Sequence, residues 1–94
     1  MSEPFMVRKH VLRHAESLIT GDRQETYGDA AVEFEKVAKA WSAVFGWNVT
    51  PEQVPQAMVL LKTIRLQQSP THVDSWVDIA GYTALGAETA CRQP

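Results

Sequence analysis

Apolar positions recur along this chain at helical rather than strand spacing. Val7, Val11, Ala15 and Leu18 form one stripe, with Leu12 and Ile19 beside it, which predicts a helix over about 4–19. Arg8, Lys9, His10, Arg13 and His14 decorate much of its remaining surface. Gly21 is placed to close it as a left-handed C-terminal residue. Phe34, Val37, Ala38, Trp41, Val44 and Phe45 follow the i, i+3, i+4, i+7 pattern and predict an amphipathic helix over about 30–45. Asp29 is its expected N-cap. Thr50-Pro51-Glu52-Gln53 reads as a capping box with proline at the first helical position, so a third helix is expected over about 51–66. The fourth is expected over about 73–90. Trp76, Ile79, Ala80, Ala84, Ala87 and Cys91 share one broad face, and Asp74, Asp78, Gly81, Tyr82 and Leu85 another. No segment alternates with the period of a strand. The pattern predicts an all-α, compact, four-helix bundle-like fold in a single domain spanning residues 1–94.

The third helix holds the most apolar run, Met58 to Leu66, with two cations inside it. At about 100° per residue, Val54, Ala57, Met58, Leu61 and Ile64 share a face. Arg65 projects from the middle of it and Lys62 from its margin. A guanidinium on a core-facing stripe needs an anion, supplied by the protein or by a ligand. Gly81 and Gly86 cost roughly 1 kcal/mol each against alanine inside a helix, which suits positions where another group approaches the backbone. Trp41, Trp47 and Trp76 are expected in the core, with Trp47 the most exposed of them.

Composition narrows the class. The chain has 94 residues, 45% of them hydrophobic, and a net charge of −2. That excludes a global electrostatic case for nucleic-acid binding. One cysteine, Cys91, excludes an internal disulfide and fits a reducing compartment. No apolar run approaches the ~20 residues of a membrane helix. A cytoplasmic protein of a bacterial host is expected. So small a core favours a homo-oligomer. His10 and His14 have metal-ligand spacing but lack a third partner, and they read as solvated surface residues. No residue is placed to activate Cys91, and no catalytic residue is assigned.

Four polar groups stand out: Arg23 with Tyr27, Lys62 with Arg65, Asp74 with Asp78, and Tyr82. Helices three and four should be antiparallel neighbours, which brings Arg65 toward the Asp74–Asp78 end. One outcome is a structural ion pair, Arg65–Asp78 or Lys62 with an aspartate. Another is a phosphate site built from the i, i+3 cations. A third is a Mg²⁺ site on Asp74 and Asp78.

Arg23-Gln24-Glu25-Thr26-Tyr27-Gly28-Asp29, then Phe34 and Trp41, then Met58 to Leu66, then Asp74 to Tyr82 form an ordered signature. It resembles that of small bacteriophage and prophage proteins of unassigned function. More distantly, the layout resembles the all-α MazG-type nucleoside triphosphate pyrophosphohydrolases and phage domains associated with nucleotide modification. In those hydrolases an E-x-x-E pair on the preceding core helix completes the Mg²⁺ cage with the acidic last helix. Here Lys62-Thr63-Ile64-Arg65 stands in its place, which reverses the local field.

Three functions follow as expectations. The first is a non-catalytic binder of a nucleotide-like phosphorylated ligand, in nucleotide metabolism or in sequestering a nucleotide signal during host defence. Arg23, Lys62 and Arg65 would neutralise phosphate and Tyr27 or Tyr82 would stack on a base, with no cofactor. The second is a divergent Mg²⁺-dependent pyrophosphohydrolase using Asp74, Asp78 and Glu33 or Glu25. The third is an interaction module, with a host protein as a further partner class.

Overall fold

The computed structural model describes residues 4–21 and 28–92. Among the described residues four helices follow in order: α1 (Pro4–Thr20), α2 (Ala30–Phe45), α3 (Gln53–Gln68) and α4 (Val73–Arg92). No strand occurs among the described residues. The architecture is all-α and bundle-like. The longest helix, α4, is its centre. Against it α3 packs most extensively and α1 next, while α2 touches both α3 and α4.

Local chemistry fixes the helix ends. The Asp29 side chain accepts from the Ala31 N–H at 3.0 Å and so caps α2. At the other end Gly46 is left-handed, with φ 81°, and its N–H donates to the Ser42 carbonyl at 2.9 Å. The Ser42 hydroxyl then accepts from the Val49 N–H at 2.8 Å, which folds the connector back onto α2. The helical ladder of α3 begins at Gln53, because Pro51 and Glu52 form a separate turn. One arm of the expected capping box is present: Gln53 Oε1 accepts from the Thr50 N–H at 3.0 Å. Gly21 is not left-handed. Positive φ occurs instead at Gly28 and Gly46 among the described residues, and the Thr20 hydroxyl bonds the Glu16 carbonyl at 2.7 Å near the end of α1.

The core is small. Phe34, Ala38, Val54 and Leu85 form its buried centre, with Ile19, Val37, Trp41 and Tyr82 packed around them. Both interior glycines of α4 permit close approach. A Cβ at Gly81 would stand 3.3 Å from Ile19 Cγ2 of α1, and one at Gly86 3.2 Å from the Pro55 ring of α3.

Two expectations about faces are overturned. On α3 the buried residues are Val54, Pro55 and Leu66, with Met58, Val59 and Lys62 half-buried. Leu61 and Ile64, expected inward, are exposed, and so is Arg65. Apolar and polar residues both recur around this helix, so hydrophobicity alone does not choose its inner face. The register with α4 does. Trp76, expected in the core, is 48% exposed, and its indole N–H donates to the Pro70 carbonyl at 2.9 Å across the α3–α4 connector.

Candidate functional site

The α3–α4 hairpin positions the site. His72 Nδ1 lies 2.8 Å from the Ser75 hydroxyl at the start of α4. Pro55 and Gly86 lie equally far from the connector along their helices and meet face to face. Lys62 and Asp78 occupy nearly the same relation about two turns nearer the connector. The Lys62 ammonium lies 3.0 Å from Asp78 Oδ2, and the two side chains are 16% and 36% exposed. Both are within reach of solvent, so the pair is neither fully desolvated nor a freely hydrated surface contact.

This corrects the expected Arg65–Asp78 pair. Three residues along α3, Arg65 is displaced by about 4.5 Å and rotated off the contact line by about 60°. It is exposed and forms no ion pair among the described residues. Asp78 is therefore held by Lys62, the other pairing expected for the hairpin. Asp74 is exposed in the first turn of α4, where its charge suits the helix dipole, and it forms no ion pair among the described residues.

Tyr82 lies one turn beyond Asp78 and is half-buried. It borders two grooves. One, of 290 Å³, runs between α1 and α4 over Leu18, Ile19, Val77, Asp78 and Gly81. The other, of 530 Å³, runs between α3 and α4 past Gln56, Val59 and Gly86. The first has an apolar floor and a rim carrying a carboxylate and a phenol. Its volume falls just below the ~300–1,000 Å³ of small-molecule sites, enough for a base or sugar rather than a whole nucleotide. Arg23, Tyr27 and Glu25 lie outside the described residues. No group of three His, Cys, Asp or Glu residues is arranged to hold a metal ion among the described residues. The described donors do not fit a Mg²⁺ cage.

Residues 10–90 match the family described as "Domain of unknown function (DUF6378)". The chain belongs to this family. It is similar to the Gene 55 protein of Mycobacterium phage L5, with 42% identity over 76 residues, covering 80% of this chain and 49% of the relative. It is also similar to the Gene 55 protein of Mycobacterium phage D29, with 32% identity over 72 residues, covering 77% of this chain and 48% of the relative. The chain thus spans about half the length of these phage relatives. No solved structure matches it. No helix among the described residues is long and apolar enough to cross a membrane.

One feature of this DUF6378 chain was not foreseen. Arg92 Nη1 donates to both carboxylate oxygens of Asp29 at 2.6 Å, tying the end of α4 to the start of α2. The bond from Arg92, then that from the Ala31 N–H, hold the Asp29 carboxyl below its usual range. The Arg92 guanidinium is raised in turn. The pair is 63 residues apart in sequence, and no local pattern announces such a contact. The only sequence signal was the N-cap position of Asp29.

Proposed function

We propose that this phage-related protein binds a small phosphorylated, nucleotide-like ligand without turning it over. The observation that carries the reading is the half-buried Lys62–Asp78 pair beside Tyr82 and its apolar groove. A phosphate displaces Asp78 from Lys62 and gains a charge-assisted hydrogen bond. Arg65 is a helical neighbour of Lys62 and supplies a second cation from the exposed side. Tyr82 offers an aromatic face to a base over the Ile19–Gly81 floor. Arg23 and Tyr27 belong to the proposed ligand set by sequence alone.

The hydrolase alternative uses Asp74 and Asp78 as Mg²⁺ ligands. It requires Asp78 to leave Lys62 and further donors to join. Release of phosphate or pyrophosphate from nucleoside triphosphates with Mg²⁺, lost in Asp78→Asn, would establish it over the binder.

Thermal shift and calorimetry across nucleoside mono-, di- and triphosphates test the proposal. At least one nucleotide is expected to stabilise the wild type, with the shift lost in Lys62→Ala and largely kept in Lys62→Arg. A panel that gives neither a shift nor heat overturns it.

A further inference from the structure

We infer that His10 and His14 on α1 form a chelating site for a borderline divalent transition-metal ion such as Zn²⁺. The sequence marks the pair only by its spacing, and the structure changes how it reads. Both histidines are half-buried rather than freely solvated. Their rings lie against each other, with centroids 5.2 Å apart and planes at 56°. Together with Met6, Lys9 and Arg13 they line a groove of 480 Å³ along α1. His14 Nδ1 is shielded from solvent and has no hydrogen-bond partner among the described residues. A shielded ring nitrogen of this kind is ordinarily satisfied by an ordered water or an ion.

Geometry and donor chemistry agree on a metal. Residues four apart rise by about 6 Å along a helix and share a face, so two imidazoles can reach one ion. A zinc–nitrogen bond is about 2.0–2.1 Å and a ring centroid lies about 1.1 Å beyond its nitrogen, so two rings at a tetrahedral angle on one ion stand about 5 Å apart. The observed separation is already that of such a pair, which leaves little ordering for binding to impose. An aromatic contact between the rings accounts for the distance as well, but it leaves the His14 nitrogen without a partner. The donors also select the ion. Imidazole suits Zn²⁺, Ni²⁺ and Cu²⁺, whereas Mg²⁺ and Ca²⁺ take oxygen ligands. Lys9 and Arg13 on the same groove repel a cation held by charge alone. A structural zinc site takes four protein ligands. Two are present here, so water completes the coordination and the ion is exchangeable. The inference stands apart from the ligand reading, because neither histidine lines the groove beside Tyr82.

Calorimetry and thermal melts of the untagged, chelator-treated 94-residue chain with zinc chloride, and with magnesium chloride as control, test it. One Zn²⁺ per chain is expected to bind and to raise Tm, as ligand linkage requires, while Mg²⁺ does neither. Carrying both ligands on one helix makes the second bond intramolecular, so His10→Ala and His14→Ala should each weaken binding by roughly a hundredfold. His72→Ala, which removes the remaining histidine, should leave it unchanged. With Cu²⁺ as the probe, electron paramagnetic resonance should show nitrogen couplings from two imidazoles in the wild type and from one in either variant. If His14→Ala fails to fold, His10→Ala and the wild-type spectrum still decide the matter. A wild type that binds no Zn²⁺ overturns the inference. So does unaltered binding in His10→Ala, or a wild-type spectrum with a single imidazole.

Discussion

Lys62 Nζ lies 3.0 Å from Asp78 Oδ2, across the seam between the two helices that pack most closely in this protein. The pair is partly shielded, so its coupling should exceed that of a fully exposed pair. Yet it stops short of the several kcal/mol lost when a fully buried charge is orphaned. A double-mutant cycle of Lys62→Met and Asp78→Leu is expected to give a coupling of about 1 kcal/mol. Urea unfolding of the four proteins measures it. A coupling near zero would show that the two charges are solvated independently.

The all-α class was legible because three stretches carry a clear 3.6-residue period and the third helix is announced by its Thr50-Pro51-Glu52-Gln53 start. Capping residues such as Asp29 marked the boundaries locally. The inner face of α3 was not legible. Met58, Val59, Leu60 and Leu61 are consecutive apolar residues, so the pattern supports more than one face. The choice came from the antiparallel register that seats Pro55 on Gly86 and Lys62 beside Asp78. Of the candidate site, the pairing of a helix-three cation with an aspartate was readable from the short connector. Which cation took part depended on a rotation of about 60°, finer than a face assignment on this helix resolves. Gly81 and Gly86 were readable as close-approach positions because their helix cost needs a compensating contact.

The two glycines differ in what a methyl group would meet. At Gly81 the neighbour is the flexible Ile19 side chain, and at Gly86 it is the rigid Pro55 ring. Alanine gains roughly 1 kcal/mol of helix propensity at either place. Gly81→Ala is expected to be neutral to slightly stabilising, because a shift of Ile19 by a few tenths of an ångström offsets only part of that gain. Gly86→Ala should be less stable than Gly81→Ala, because α3 itself must move. Equal Tm values for the two variants would contradict this.

Asp29 and Arg92 give a pH signature. The folded Asp29 carboxyl titrates below its ordinary value of 3.8. Its contribution is fully present above that ordinary value and is lost as the pH falls through the lower folded value. Asp29→Asn should therefore lower Tm at neutral pH and flatten the fall in Tm below about pH 4. Added salt should narrow the difference between the variant and the wild type, because the pair is exposed. Thermal melts from pH 2 to 7 at two salt concentrations check both expectations. A variant whose acid limb matches that of the wild type would exclude this pair as a source of the pH dependence.

The central claim is that phosphate competes with Asp78 for Lys62, and calorimetry of one bound nucleotide against wild type, Lys62→Ala and Asp78→Asn tests it most directly. If a carboxylate inside the protein is the competitor, removing its charge frees the ammonium. Asp78→Asn should then bind several-fold more tightly, in line with a coupling of about 1 kcal/mol, while Lys62→Ala should lose binding. Weaker binding in Asp78→Asn, or unchanged binding in Lys62→Ala, would contradict the account.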